Sequence, residues 1–276
     1  MNETWKKVLL ARDPKRPTSK TIINEIITNF IELHGDRLIG DDKSIIGGIG
    51  YFNNIPVTVI AQEKGVTTAE KITHNFGMPH PEGYHKAIRL MKQAEKFNRP
   101  IITIIDTPGA YPGLGAEERG QANAIAVSIK EMMNIKVPII SIVLGEGGSG
   151  GALAIGVCNK LYMFENSIYS ILSPEGFASI LFKDSSKAAE VSEMMKLTAQ
   201  DLKSFKIADA IIKEDEPLSI NKTSGINNLI KQLKKDFDIL LKKDNDTLVR
   251  ERYLKFRKIG VFASETKEAH KHELQE

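Results

Sequence analysis

Seven residues, Gly145-Glu146-Gly147-Gly148-Ser149-Gly150-Gly151, are the stretch of this chain best suited to chemistry. They follow the apolar run Ile139-Ile140-Ser141-Ile142-Val143-Leu144 and lead into Ala152-Leu153-Ala154-Ile155. That order predicts a buried strand, a glycine turn and a helix start. A helix N-terminus leaves N–H donors without partners, and glycines let a negatively charged atom approach them. The same plan stands upstream, where Ile101-Ile102-Thr103-Ile104-Ile105 runs into Asp106-Thr107-Pro108-Gly109-Ala110-Tyr111-Pro112-Gly113-Leu114-Gly115. Two glycine turns at the ends of neighbouring strands predict one shared pocket.

Four chemistries compete for these loops. Gly145-x-Gly147-x-x-Gly150, with Glu165 at a strand end further on, fits the dinucleotide fingerprint of an NAD(P)-dependent oxidoreductase. Only about eight residues then separate Gly150 from Asn159, which is short for a crossover helix, and the 106–115 loop is left without a role. Gly147-x-Ser149-x-Gly151 fits a serine nucleophile elbow, but the histidines that follow, His270 and His272, sit in a charged tail. Asp106-Thr107-Pro108-Gly109 resembles a GTPase loop, yet Gly151-Ala152 stands where a phosphate-binding Lys-Ser/Thr pair is required. The fourth reading makes both loops oxyanion holes, whose backbone N–H groups stabilise an enolate without a titratable side chain. Against all four stands the plain reading that the glycines only let helix and strand pack closely.

The elements that must position these loops follow from periodicity. Trp5, Val8 and Leu9 predict a short first helix ending at Asp13-Pro14. A second helix, capped by Thr18 or Ser19, carries Ile22, Ile23, Ile26, Ile27, Phe30 and Ile31 as far as Gly35. Residues 45–52 and 55–62 read as a hairpin about Asn53-Asn54. The span 64–80 lacks a period and reads as a loop. Helices are expected from Pro81, over 116–134 with Ile125, Ala126, Ile129 and Met132 inward, and from Ser173-Pro174 to Phe182. Strands are expected at 161–165, 168–172 and 210–212, helical stretches at 186–196 and 199–205, and a helical end from Ile226 to Leu241. Strand–helix alternation argues an α/β class. The expected layout is a single domain over 1–263, with a helical extension from about 223 and a frayed charged tail at 264–276.

Composition narrows the function. A chain of 276 residues, 41 % hydrophobic and 26 % charged, is that of an ordinary globular protein. No apolar run reaches the ~20 residues of a membrane span, and the first residues lack a signal peptide's apolar region. One cysteine, Cys158, excludes an internal disulfide and a multi-cysteine zinc site, so a cytoplasmic location is expected, with no metal in this chain. A net charge of +3, with lysines interleaved among acids, gives no nucleic-acid stripe.

Four segments together are specific. Asn75-Phe76-Gly77-Met78-Pro79-His80-Pro81-Glu82-Gly83-Tyr84, then Ile105 to Gln121, then Gly145 to Gly156, then Ser173-Pro174-Glu175-Gly176, resemble the alpha subunits of bacterial acetyl-CoA carboxylase carboxyltransferases. The resemblance spans about Trp5 to Ala263, as in a short member without the N-terminal helical hairpin of longer relatives. It implies a crotonase-like superhelix of ββα units and transfer of a carboxyl group from carboxybiotin to acetyl-CoA, giving malonyl-CoA for fatty acid synthesis. It also implies a zinc-containing beta subunit in an α2β2 assembly, biotin on a separate carrier protein, and ATP used by a separate biotin carboxylase.

On the family pattern the N–H groups of Gly150 and Gly151 hold the biotin oxygen. Gly109 and Ala110 line the facing loop, Tyr111, Pro112 and Gly113 shape its wall, and Gly147 and Gly148 support the turn. Lys64, Lys71, Arg89 and Arg119 are candidates for coenzyme A phosphates or a partner carboxylate, against the plain reading of solvated surface charge. His74, His80 and His85 read as structural hydrogen-bonders, Glu117 and Glu118 as helix-opening acids, and Cys158 as a small core residue.

Overall fold

The computed structural model describes residues 2–260. The expected tail at 264–276, with its two histidines, lies outside the described residues. Eight strands form the sheet: β1 (Thr28–Glu32), β2 (Ile45–Phe52), β3 (Ile55–Gln62), β4 (Ile101–Thr107), β5 (Ile139–Gly148), β6 (Lys160–Phe164), β7 (Ile168–Ser170) and β8 (Ala210–Ile212). Their order is β1-β2-β3-β4-β5-β6-β8, and β7 pairs with the far end of β5. The first three strands are antiparallel, while β3 to β6 and β8 run parallel. The Asn53-Asn54 hairpin is as expected, both asparagines taking the positive φ that a tight turn of this kind needs.

Parallel strands bury both faces, which is why β4 and β5 read as unbroken apolar runs. Ile102, Ile104, Ile140, Ile142 and Leu144 point to one side, where they meet the helices Ser19–Ile26 and Lys222–Leu240. Ile101, Ile105, Ile139 and Val143 point to the other, under the helices Pro81–Lys96 and Gln121–Asn134. Thr103 Oγ1 lies on that second side and donates to Ser141 Oγ at 2.7 Å or to the Ile155 carbonyl at 2.8 Å, which locks β4, β5 and the glycine-loop helix together.

Three expectations need correction. The second helix stops at Ile26, and Thr28–Glu32 is an edge strand, so Phe30 and Ile31 do not continue the helical stripe. Its β-branched residues favour a strand once β2 offers a ladder. The span 64–80 contains a helix, Thr68–Thr73, opened by a capping box in which the Thr67 and Glu70 side chains exchange backbone hydrogen bonds. The expected helix 116–134 breaks at Gly120, which is left-handed. Its buried face is Gln121, Ala124, Ser128 and Met132, while Ala126 is exposed.

Candidate functional site

Two loops meet where the parallel strands end. The β4–β5 register runs from Ile101 opposite Ile139 to Thr107 opposite Gly147, with a break after Ile105. The glycine run is not all turn, because β5 continues through Gly148. Only then does the chain swing through Ser149, exposed and left-handed at φ +52°, into the short helix Ser149–Leu153. A Cβ added at Gly148 would lie 2.1 Å from the Pro108 carbonyl oxygen, and one at Gly151 only 2.5 Å from the Ala110 nitrogen. These two glycines are what let the 148–151 loop seat against Pro108, Gly109 and Ala110. Gly150 differs, since a Cβ there would meet only Ile125, at an ordinary 3.5 Å.

Ser149, Gly150 and Gly151 occupy the first helical turn, where the helix supplies no acceptor for their N–H groups. No loop carbonyl or side chain among the described residues takes the Gly150 or Gly151 N–H. The carbonyls are held instead: Ala154 N–H donates to Gly150 O at 2.9 Å, and Gln62 Nε2 donates to Gly151 O at 2.8 Å. Gln62 also accepts from Asp106 N–H at 3.2 Å, so one buried amide spans both loops. The reading of the sequence missed Gln62, which looked like the last polar residue of a strand.

The facing loop is braced from its own side. Thr107 Oγ1 accepts from Gly109 N–H at 3.0 Å. Tyr111 N–H donates to Pro79 O at 3.0 Å, and Gln121 Nε2 donates to Pro79 O or Tyr111 O. The Tyr111 ring stacks on His80, with centroids 4.1 Å apart. Gly113 packs beside that ring, and Pro112 is exposed. Gly147 lies against the Tyr169 ring on the other loop.

Below the loops runs a line of alternating charge. Lys64 Nζ lies 2.7 Å from Asp106 Oδ1 and 2.8 Å from Glu146 Oε2. Arg12 bonds Glu146 at 2.7 Å and Glu175 at 2.7 Å. Asp106 also accepts the Glu146 N–H at 2.9 Å, tying β4 to the glycine run. Burial pushes the Glu146 carboxyl up, but Lys64 and Arg12 more than reverse this and hold it below the usual carboxylate range. Burial likewise pulls the Lys64 ammonium down, and Asp106 and Glu146 raise it past its ordinary value. This network ties Asp106 and Glu146, at the bases of the two loops, to each other and to Arg12 and Lys64.

Among the cations singled out from the sequence, most have internal duties. Lys64 belongs to this line, Arg119 grips Glu82 at 2.5 and 3.3 Å, and Arg89 donates to the carbonyls of Gly35 and His34. Lys71 has no carboxylate partner among the described residues. His74 bonds the Lys43 carbonyl, His80 bonds Asn75, and His85 Nδ1 is buried without a hydrogen bond, 3.9 Å from Asp36. Glu117 and Glu118 are exposed on the helix Leu114–Glu118, and Cys158 is fully buried.

Besides a small gap of about 20 Å³ bordered by Thr107, Pro108, Gly147 and Gly148, two larger recesses flank the loops. A cleft of about 220 Å³ is lined by Arg12, Lys64, Lys71, Phe76, Asp106 and Pro108, among others. Ser149 and Gly150 themselves border a separate apolar recess of about 480 Å³, with Leu153, Tyr169, Ile171, Leu202 and Ile207 in its walls. A dinucleotide is poorly served here. The helix after the glycines has five residues, and Glu165 is occupied by Lys213 and the Glu214 N–H rather than facing a ribose site.

Residues 2–260 match the family described as acetyl co-enzyme A carboxylase carboxyltransferase-like. The chain belongs to that family. The acetyl-coenzyme A carboxylase carboxyl transferase subunit alpha of Clostridium perfringens is 59 % identical over 258 residues, covering 93 % of this chain and 95 % of that protein. A Clostridium tetani relative described as subunits beta/alpha is 54 % identical, covering 96 % of this chain but only 46 % of that longer protein. Among solved structures, transcarboxylase 12S with methylmalonyl-coenzyme A and methylmalonic acid bound superposes with a TM-score of 0.68 at 16 % identity. That match covers 93 % of this chain and 46 % of the other, so this chain spans about half of that polypeptide. The fold is therefore the crotonase-like one, and membership of the carboxyltransferase family sets the reaction class. Nothing favours the oxidoreductase alternative.

Proposed function

We propose that this chain contributes the carboxybiotin half of an acetyl-CoA carboxylase carboxyltransferase, with the Gly150 and Gly151 N–H groups as its oxyanion hole. The observation that carries the reading is the seating of the 148–151 loop on Pro108 to Ala110, which leaves those two donors without protein acceptors. The clearance at Gly150 fits the approach of a ureido oxygen. Bound carboxybiotin supplies the carboxyl group in activated form, carried on a separate protein and loaded by a separate ATP-consuming biotin carboxylase. This chain's part is electrostatic. The two N–H groups meet the oxygen on which negative charge grows, and the helix start adds its positive end. Gly109 and Ala110 form the opposite lip, Tyr111, Pro112 and Gly113 the wall, and Gly147 and Gly148 the turn beneath. The charge line from Arg12 to Asp106 and the Gln62 bridge hold the donors in place, so little reorganisation accompanies the reaction.

The second half comes from another chain, in this reading a zinc-bearing beta subunit that binds acetyl-CoA, within a cytoplasmic α2β2 assembly. Two things support a partner. One is the beta/alpha description of the longer relative. The other is the apolar recess beside Gly150, where Ile171 is left 79 % exposed. Residues 1–263 then act as one carboxyltransferase domain with a helical extension from about 223. The test is the reverse reaction, from malonyl-CoA and free biotin. The chain alone is expected to be inactive, and activity should appear when a beta-type subunit is added. Full turnover by the purified chain alone would sink the proposal.

A further inference from the structure

Gln62, the last residue of β3, is fully buried, so the polar atoms of its amide need partners inside the protein. Its Nε2 donates to the Gly151 carbonyl at 2.8 Å, and its Oε1 accepts from the Asp106 N–H at 3.2 Å. These partners fix which end of the amide is which. Turned over, it would set its NH2 against the Asp106 N–H and its oxygen against the Gly151 carbonyl. One side chain thus joins three neighbouring parallel strands at the ends that carry the loops: β3 itself, β4 at Asp106 and the turn after β5. Gly151 is held from both sides. The carbonyl of the peptide that carries its N–H is bound by Ala154 within the short helix, at 2.9 Å, and its own carbonyl is bound by Gln62 from across the sheet.

Resting on the oxyanion-hole reading above, we propose that Gln62 is the positioning residue of this site, setting the spacing between the Gly151 donor and the loop that starts at Asp106. Fully buried, it acts through those two backbone groups. The position demands one donor and one acceptor on a side chain of this length. Leucine has the bulk and neither group. An ionised glutamate has the shape but only acceptors, so it would repel the Gly151 carbonyl, whereas a protonated one donates to Gly151 and accepts from Asp106 as the amide does. The charged side chains on the elements that meet here are Glu63, Lys64, Asp106 and Glu146, with Arg12 bound to the last. Glu63 is itself occupied by the N–H groups of Lys20 and Gly65. Burial and the facing carbonyl favour the protonated form of a glutamate at this position, which raises its pKa above the ordinary value of about 4.3.

The experiment uses the complex reconstituted with a beta-type subunit, assayed in reverse with malonyl-CoA and free biotin, well below the melting temperature of every variant. Rates are taken relative to the parent at each pH. Gln62→Leu is expected to lower kcat about 10–100-fold with both KM values within about twofold, because the donors are misplaced rather than removed. Gln62→Glu is expected to approach the parent rate at the acid end of the range and to fall about tenfold or more below it once its carboxyl ionises. A Gln62→Glu ratio constant with pH would overturn the proposal. So would an unchanged kcat in Gln62→Leu beside a lowered melting temperature, the mark of a residue that only packs, or a raised KM with kcat retained. The purified chain gives a second readout. With its folded pKa raised, the glutamate costs stability as pH climbs from about 4.3 to that raised value, so the melting-temperature gap between Gln62→Glu and the parent should widen over that range. If the parent complex fails to turn over, the carboxyltransferase reading falls and the catalytic role of Gln62 with it, while the melting-temperature gap still decides whether the amide spans the two loops.

Discussion

Within the 148–151 loop, neighbouring residues answer different questions. Ser149 is exposed and left-handed, and no hydrogen bond joins it to a histidine among the described residues, which disfavours a nucleophilic role. Ser149→Ala is expected to cost tenfold or less in malonyl-CoA decarboxylation by the reconstituted complex. A dead Ser149→Ala enzyme that still folds and assembles would reverse the assignment. Gly150 is the informative position, because the fold has room for a side chain there. Gly150→Val should therefore keep its melting temperature while losing about 10²–10³ in rate, the usual cost of one oxyanion donor. Gly151→Val should fail differently. Its Cβ would drive into the Ala110 backbone, so lowered stability is expected beside lost activity. Circular dichroism and a melting curve on each variant separate the two outcomes.

At the scale of elements, buried charges fasten the ends of the chain to the sheet. Arg16, in the turn after the first helix, holds Glu214 beyond β8 at 2.8 and 3.2 Å and donates to the Leu144 carbonyl just before the glycine run. Burial pushes the Glu214 carboxyl up, while Arg16 and Asn166 more than reverse this and hold it below its ordinary value. A carboxylate with a depressed folded pKa stabilises above its unfolded value of about 4.3, and the gain is lost as pH falls through the lower folded value. Glu214→Gln is thus expected to cost about 3–5 kcal/mol near neutrality by leaving Arg16 unpaired. The gap to the parent protein should shrink as pH falls below about 4 in denaturant titrations, and a gap constant with pH would refute the coupling.

Arg252, on the helix Asn245–Arg257, makes the other fastening. It donates to the carbonyls of Met132, Ile135 and Val137 and to Asn159 Oδ1, closing the C-terminal end of the helix Gln121–Asn134. Burial pulls its pKa down to about 10, so it remains charged at neutral pH. Arg252→Met should cost about 3 kcal/mol by orphaning those acceptors, or roughly 6–12 °C in melting temperature.

For the whole molecule, the sheet offers one glycine-loop site and an uncovered apolar recess beside it. On the function proposed above, catalysis belongs to an assembly. No phosphate loop with a lysine exists in the chain, so equilibrium dialysis at micromolar ATP-Mg should show no stoichiometric binding, although on the reading proposed above the complete carboxylase consumes ATP. Stoichiometric binding would reveal a nucleotide site elsewhere on this subunit. No described helix is long and apolar enough to cross a membrane.

Local order in the amino-acid sequence was enough for the hairpin at Asn53-Asn54, the buried runs of β4 and β5, the helix from Pro81 and the glycine loops, because periodicity and turn chemistry act over a few residues. The four motif segments sufficed for the family. Contacts between distant segments decided the rest. Thr28–Glu32 became a strand only because β2 lay alongside it, and Gln62 became the bridge between the loops only because β3 lies beside β4. Gly148 and Gly151 outrank Gly150 in packing because Pro108 and Ala110 press on them, a pressure that no spacing along the chain encodes. The sequence likewise named Lys64, Lys71, Arg89 and Arg119 as equals. Tertiary structure supplied three of them with internal partners and left Lys71 facing the cleft.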